Sequence, residues 1–347
     1  MVGSRLAVGP ATLEQVARAA NVSRATASRV VNGDRRVADA SRTAVEAAVR
    51  ELAYTPNRAA RALVTRRSES VAVVIPEPAG QLFGDPFFPR LLRGVSGELA
   101  AEGLQLVLLM PQDRFDERRV SRYLSGGHTD GVLLVSLHGD DPLPVDLQRQ
   151  GIPAVVGGRP SAAGMTYVDV DNRDGAAMAV RHLIGMGRSG IATIAGPQDM
   201  APGADRLAGY RDVLADVDGG IDDRRIEIAD FTLDGGRAAM ERLLASSTAI
   251  DAVFAASDLL ALGALAALHA AGISVPAEVA VVGFDDSTLA ASAIPALTSV
   301  RQPIEEMGRE MVRLLMEEIR SPGRPPRRVI LDTELVQRDS TVGAAVE

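Results

Sequence analysis

The 347-residue chain has no cysteine, no tryptophan and no lysine, and its aromatic residues are four tyrosines and seven phenylalanines. Without cysteine there is no disulfide, no thiolate metal ligand and no thiol nucleophile. No apolar run approaches the ~20 residues that span a bilayer. The opening stretch MVGSRLAVGPATLEQ lacks the apolar core of a secretory signal. A cytoplasmic compartment with no membrane association is therefore expected. The four histidines, His128, His138, His182 and His269, have no metal-ligand spacing, and His182 reads as a structural helix residue. Neither a P-loop nor a GxSxG elbow occurs. Residues 185–190 spell GxGxxG, but a helical pattern precedes them and a strand pattern follows, the reverse of a dinucleotide site. They read as the turn that ends a helix. Asp285-Asp286 is the only suggestive carboxylate pair expected in a cleft, with no nucleophile or histidine placed beside it by sequence. These absences leave little room for an enzyme and imply no metal and no cofactor.

What is present is a division of charge. Residues 1–67 hold twelve Arg against five acids (Glu14, Asp34, Asp39, Glu46, Glu51), a net of +7. Of the 37 basic and 45 acidic residues in the chain, 25 and 40 remain for residues 68–347, a net of −15. A basic head of this size attracts phosphate through counterion release. An acidic body does not coat DNA. The exclusive use of Arg reads as genomic base composition. A chain of this length has material for two or three domains.

In the head, Thr12 and Gln15 have capping-box spacing, and Leu13, Val16 and Ala17 recur at helical spacing through Ala20. Asn21 and Val22 form a turn. Ser23 is a natural N-cap for a second helix over Arg24 to Val31, which Asn32-Gly33 stops. A third helix is expected from about Asp39 to Leu52, with Val45, Val49 and Leu52 facing inward and a poor cap at Ala38. Two short helices on a tight turn form a helix-turn-helix, whose second helix offers its N-terminal residues to the major groove. Arg24, Ala25 and Arg29 then face bases: Arg forks onto guanine, and Ala meets a thymine methyl. Ser23, Thr26, Ser28 and Asn32 suit phosphate oxygens. The same residues also fit a surface helical bundle with scattered Arg.

Residues 56–64 add a short segment. Pro56 ends the preceding structure and Asn57 can cap about two turns from Arg58 to Leu63. That is shorter than the ~12–15 residues of a self-supporting helix. Ala60 and its alanine neighbours permit close backbone approach, and Leu63 could wedge between base steps in the minor groove. A plain linker is the other reading.

The run Thr12–Leu63, with TLEQVARAANVS, SRVVNG, VEAAVRELAYTPN and ARAL, resembles the headpiece and hinge helix of the LacI/GalR family of bacterial transcription regulators. The resemblance implies that Arg24, Ala25 and Arg29 read operator bases and that Leu63 is the minor-groove lever. Ala25 departs from the larger polar residues often found there. Further matches are Asp171-Asn172-Arg173-Asp174-Gly175, His182-Leu183, Ala195-Gly196-Pro197, Arg206-Leu207-Ala208-Gly209-Tyr210, Ser257-Asp258, Gly272–Pro276 and Val281–Asp286.

From Val71 onward, buried-strand runs alternate with helical patterns. Examples are strands at Val71–Ile75, Gly131–Val135, Ile191–Ala195 and Ala252–Ala255, and helices at Phe88–Leu99, Gly175–Ile184, Arg206–Ala215, Gly235–Leu244 and Leu259–Ala271. Such alternation predicts parallel, doubly wound α/β sheets. The units are too many for one sheet, so two subdomains are expected, with ligand in the cleft outside the carboxyl ends of the strands. The resemblance implies a type I periplasmic-binding-protein fold with chain crossings near 170, 301 and 325. The expected domains are a helix-turn-helix headpiece at 11–55, a hinge helix and linker at 56–68 and an effector-binding body at 69–340. Within the body, subdomain 1 comprises 69–170 plus 301–325, and subdomain 2 comprises 171–300 plus 326–340.

The resemblance also places effector contacts. Arg206, expected in a strand-to-helix loop, grips a polar ligand group. Asp285 accepts from hydroxyls or serves as a turn cap. Phe231 stacks on a sugar ring. Phe87 and Phe88, in the loop after the first strand, divide between cleft and core. Gln302 lies at a crossing. Ser257 replaces the Asn of many relatives. Arg159, near Arg206, suits an anionic or very polar ligand or is a surface side chain. The overall expectation is a homodimeric regulator, most simply a repressor, on a near-palindromic double-stranded operator, controlled by a small effector for which carbohydrate is the family norm. No apolar heptads follow Arg338, so no coiled-coil tetramerisation tail is expected. A sugar-sensing protein whose head docks on another protein is the alternative, and a hydrolase on the same fold is a third reading.

Overall fold

The computed structural model describes residues 11–34, 36–55, 67–217, 220–246 and 248–342. The chain divides at Ser68 into two compact units. Asn57, Arg58, Ala60 and Leu63 lie outside the described residues.

The first unit is a three-helix cluster of α1 (Leu13–Ala19), α2 (Arg24–Val31) and α3 (Asp39–Glu51). Thr12 caps α1 in a complete capping box: its N–H donates to Gln15 Oε1 (2.7 Å), and its Oγ1 accepts from the Gln15 N–H (3.3 Å). Ser23 Oγ accepts from the Thr26 N–H at 3.1 Å and starts α2. Gly33, at φ +76°, ends it in a conformation that favours glycine. As the sequence predicts, α3 begins at Ala38 with no side-chain cap. Val16, Ala17, Ala20, Ala27, Val30, Val45 and Ala48 form the core, and Val49 and Leu52 pack partly buried against it. Small residues dominate, so the helices approach closely around little volume.

The second unit holds two six-stranded sheets. The first has the order β11-β5-β4-β3-β1-β2, from strands β1 (Ser70–Val74), β2 (Gln105–Leu109), β3 (Gly131–Val135), β4 (Ala154–Gly157), β5 (Thr166–Val170) and β11 (Arg328–Leu331). All its pairings are parallel. The second has the order β12-β10-β9-β8-β6-β7, from β6 (Ile191–Ala195), β7 (Ile226–Ile228), β8 (Ala252–Ala255), β9 (Ala280–Asp285), β10 (Thr298–Arg301) and β12 (Glu334–Val336). Only β12 runs antiparallel. Successive strand residues face opposite ways, and both faces are covered. Val71, Val73 and Ile75 join the core under helices Phe87–Ala101 and Ile304–Arg320. Ala72 and Val74 join the core on the other face, with Val120, Leu124 and Leu147. The second sheet splits in the same way. Among the described residues no helix is long and apolar enough to cross a membrane.

The chain passes between sheets after β5, after β10 and after β11. The third passage therefore lies at 332–333, not near 325. Residues 328–331, expected in the second subdomain, extend the first sheet as the parallel neighbour of β5. Asp171 N–H to Leu331 O, at 3.0 Å, closes that pairing. An edge strand of four residues with a half-exposed pattern carries too little periodicity to be placed from sequence.

Helices Leu233–Ala245 and Asp258–Ala270 meet through a pair of glycines. A Cβ on Gly263 would lie 2.1 Å from Leu233 O, and one on Gly236 would lie 2.3 Å from Leu260 O. These atoms are backbone and cannot swing aside. Gly263→Ala is therefore expected to lower the stability of the body by about 1–3 kcal/mol. Urea unfolding of the full chain followed by circular dichroism would show it, and an unchanged midpoint would refute the reciprocal-glycine contact.

Candidate functional site

In the head, α2 buries Ala27 and Val30 and exposes Arg24, Ala25 and Arg29 along one side. Arg24 Nε lies 3.9 Å from Glu14 Oε1, a loose pair of two exposed side chains that leaves the guanidinium free to move. Of the residues expected at phosphates, Ser23 Oγ is the cap and lies 2.9 Å from Thr26 Oγ1. Asn32 Nδ2 donates to Ser28 Oγ at 3.3 Å. These four therefore form two local pairs along the helix that presents the Arg side chains.

In the body, a cavity of about 310 Å³ opens between the carboxyl ends of the two sheets. The structure brings Phe87, Phe88, Arg159, Arg206, Phe231, Ser257, Asp285 and Gln302 together on its wall. Arg206 is at its centre and almost wholly buried (5% exposed). It stands in the second turn of helix Ala201–Ala215, not in the loop before it. The helix starts early because Pro202 is tolerated in a first turn. Arg206 Nε donates to Asn172 Oδ1 (2.8 Å) and Nη1 to Ala256 O (2.6 Å), and Nη1 lies 3.8 Å from Asp285 Oδ1. The guanidinium carbon sits 3.7 Å over the Phe284 ring and 5.9 Å from the Phe231 ring. Nη2 donates to no protein group among the described residues.

Asp285 ends β9 with φ +112°, and Asp286 follows at φ +48°, both costly conformations for a residue with a Cβ. It is not a turn cap; Ser287 caps the next helix by accepting from the Ala290 N–H. The Asp285 carboxylate accepts from Gln302 Nε2. Arg90, on the helix that begins at Phe87, donates Nη1 to the carbonyls of Asp285 (3.1 Å) and Asp286 (3.2 Å). Phe87 and Phe88 stand at the start of that helix, not in a loop, with rings 5.3 Å apart and edge to face. Phe88 is in the core and Phe87 is half-buried. Phe231 lies over Gly196, where a Cβ would meet its ring at 2.2 Å. Ser257 is committed as the cap of helix Asp258–Ala270, accepting from the Leu260 N–H. Arg159 turns away from Arg206. Its Nη2 pairs with Asp205 Oδ1 at 2.5 Å, and its N–H donates to Asp169.

Several wall residues were not foreseen from sequence. Asp85, Asp169, Asn172, Gln198 and Asp199 all line the cavity. Asp169 stands near the end of β5, Asn172 opens the next helix, Gln198 and Asp199 follow β6, and Asp85 ends the short helix Ala79–Gly84; only the tertiary fold selects among such positions. Burial raises the carboxyls of Asp85 and Asp169, each to about 6. It raises Asp258 and Asp285 as well, Asp285 against the pull of Arg206. Burial lowers Arg206, and these four carboxylates oppose that shift. The chamber is thus a ring of acids about one guanidinium, rich in acceptors for hydroxyl donors. Among the described residues no group of acids and histidines is arranged to hold a metal. His182 Nε2 lies 3.1 Å from Thr341 Oγ1, well removed from this wall, and burial lowers its pKa.

The raised Asp85 pKa has a definite sign for stability. The folded chain holds that proton more tightly than the unfolded one. Its contribution is complete below pH ~4 and is lost as pH rises through about 6. Asp85→Asn is therefore expected to gain on the parent by about 1–2 kcal/mol between pH 4 and pH 7. Urea midpoints of both proteins at the two pH values would measure this. A difference that does not vary with pH would place the titration elsewhere.

Comparison with known proteins agrees with both units. Residues 12–57 match the model of the bacterial regulatory proteins, lacI family, and residues 180–341 match the periplasmic binding protein-like domain. The chain is 49% identical over 332 residues to the HTH-type transcriptional regulator CelR of Thermobifida fusca, covering 95% of this chain and 98% of the relative. It is 34% identical over 335 residues to the ribose operon repressor of Escherichia coli strain K12, covering 95% and 99%. Among solved structures it is similar to a transcriptional regulator CelR–cellobiose complex (47% identity, TM-score 0.77, 95% and 99% covered). It is also similar to the lac repressor dimer bound to operator and the anti-inducer ONPF (25% identity, TM-score 0.84, 96% and 99% covered). With a helix-turn-helix head, two doubly wound subdomains and 34–49% identity to these relatives over nearly its whole length, the chain belongs to the lacI family of bacterial regulatory proteins.

Proposed function

We propose that the chain is a homodimeric, cytoplasmic repressor without catalytic turnover, released from a near-palindromic operator by an uncharged oligosaccharide of the cellobiose class bound around Arg206. The observation that carries this reading is the buried Arg206, which is fixed on two sides, has Nη2 without a partner among the described residues, and is set in a cavity whose wall includes carboxylates and phenylalanine rings. Sugars offer many O–H donors and flat apolar ring faces, and both have counterparts on this wall. The cavity volume lies at the small end of the usual range for ligand sites, ~300–1,000 Å³, and suits one or two sugar rings. An anionic sugar phosphate fits poorly. Asp85, Asp169, Asp199 and Asp285 would repel it, and Arg159, the other cation on the wall, is already paired with Asp205. The cellobiose in the CelR complex is of the same neutral class.

On DNA, Arg24 and Arg29 would contact base edges and Ala25 a thymine methyl, with Ser23, Thr26, Ser28 and Asn32 toward phosphates. Asn57, Arg58, Ala60 and Leu63 would follow the minor groove. Sugar and operator are then linked reciprocally, each weakening the other by the same factor.

Selection from a random duplex pool with the full-length protein is expected to return a two-fold symmetric site. Six or more phosphate contacts would weaken its binding by roughly a thousandfold between 50 and 200 mM salt. Cellobiose should release it. Arg206→Ala, which removes a charged donor, should raise the cellobiose Kd by roughly a hundredfold. No enrichment, or sugar binding indifferent to Arg206→Ala, would defeat the corresponding half of the proposal.

A further inference from the structure

At the rim of the cleft, His138 lies between two acids that belong to different subdomains. It follows β3 of the first sheet, and Asp199 follows β6 of the second. His138 Nδ1 is 3.0 Å from Asp199 Oδ2, and Nε2 is 3.2 Å from Glu77 Oε1. Glu77 is 4% exposed and follows β1, so it shares the first subdomain with His138. Its Oε1 also accepts from Ser136 Oγ at 2.5 Å. Beside the ring, the Gly139 N–H donates to Asp199 O at 2.9 Å, a second link between the same two loops.

The chemistry of imidazole decides what this arrangement requires. A neutral ring has one N–H and one lone pair. Facing two carboxylates, it satisfies one and turns its lone pair on the other. The imidazolium donates to both. From these contacts we infer that His138 is a proton-dependent latch: closing the cleft binds a proton on His138, which ties Asp199 of the second subdomain to Glu77 of the first.

The charged surroundings agree. Glu77 from the β1 loop and Asp199 from the β6 loop are the groups that act on the ring, and hydrogen bonding to them raises its pKa to about 9 against the opposing effect of burial. On its own loop, Asp141 is used at the start of helix Leu143–Arg149, accepting from the Leu143 N–H, and Asp140 adds further negative charge. Arg159, the cation across the rim, is held by Asp205. Opening the cleft removes Asp199 and with it part of the reason to stay protonated. The sign follows. The group has a higher pKa when closed, so closure is favoured fully at low pH and loses that support as pH rises through about 9. Asp199, 52% exposed at its side chain, keeps the bridge in contact with bulk protons. The consequence for sugar affinity rests on the function proposed above; the latch itself does not.

The test is a ring-proton NMR titration of the 13C-histidine-labelled full-length protein, with and without cellobiose. The His138 signal would be identified by its loss in His138→Gln. The expected midpoint lies well above the ordinary ~6.5 and falls by about one pH unit or more in Asp199→Asn. An ordinary midpoint in both conditions overturns the latch. So does a raised midpoint that Asp199→Asn leaves in place, since Glu77 alone would then account for it. Calorimetry adds the functional arm. Cellobiose affinity should fall roughly tenfold or more from pH 7 to pH 9.5 in the parent and stay flat in His138→Gln. A parallel fall in both proteins overturns the link to ligand. Absence of cellobiose binding at every pH defeats the sugar reading instead, and the ring titration of the free chain still decides the latch.

Discussion

A positive charge buried where two sheets converge is the constraint that orders this body. Isolated burial of a guanidinium costs several kcal/mol even after relaxation, so Arg206 is tolerable only with its partners in place. Those partners come from separate parts of the chain. Asn172 opens the helix after β5, Ala256 O follows β8, and Asp285 ends β9. The Phe284 ring beneath completes the shell, a face that attracts cations and needs no hydrogen bond. The helix carrying Arg206 is set by contact as well, for Gly209 lies so close to Arg173 O that a Cβ would stand 2.1 Å away. One side chain thereby fixes the relation of two strand ends and two helices, and the cavity is what remains around it.

The carboxylates around that charge are held apart by a second layer of contacts. Asp258 is occupied on both oxygens, by Ser299 Oγ and by the Ser287 N–H, each at 2.6 Å. Gly283 leaves room for it, since a Cβ there would sit 2.6 Å from Asp258 Oδ1. Asp258 therefore shapes the field without meeting a ligand. Asp286 is turned the other way and is held by Arg301 Nε and Arg338 Nη2, both at 2.6 Å, which lower its pKa against the effect of burial. Two neighbouring aspartates thus have opposite fates, one raised in the cavity and one held ionised outside it. The backbone between them adopts a left-handed conformation because Arg90 grips both carbonyls and ion pairs grip the second side chain. Strain of this kind persists where surrounding contacts over-determine it.

Much of this was legible in the residues, and the limits are physical. The head was readable because caps and turns are local: Thr12 with Gln15, Ser23, and Gly33 act within one helical turn. The central strands announced themselves as continuous apolar runs, since both faces of a parallel sheet are buried. Edge strand β11 did not, and its placement had to come from pairing with β5. Arg206, Asp285 and Gln302 were found through family resemblance; their spacing of 79 and 17 residues carries no signal of its own. Asp85, Asp169 and Asp199 were missed because an aspartate at the end of a helix or strand is common, and only folding shows which ones converge. Arg159 stayed between two readings for a related reason. Two cations assigned to one cleft look like an anion site until Asp205, next to Arg206 in the chain, is seen to pair with Arg159.

The contacts across the cleft differ in depth, and this bears on how a ligand could act. Toward the strand ends, Arg90 binds backbone carbonyls, a link that no change of pH removes. At the rim, Arg159–Asp205 and His138–Asp199 are partly exposed ion pairs, which water weakens as it does not weaken the buried contacts. Rim pairs of this kind add little to the hold on a closed cleft and so leave a ligand room to act. A ligand shifts an equilibrium only by its differential affinity for the two states. Rim pairs buried as deeply as Arg206 would have locked the body in one state, and effector binding would then have had nothing left to decide.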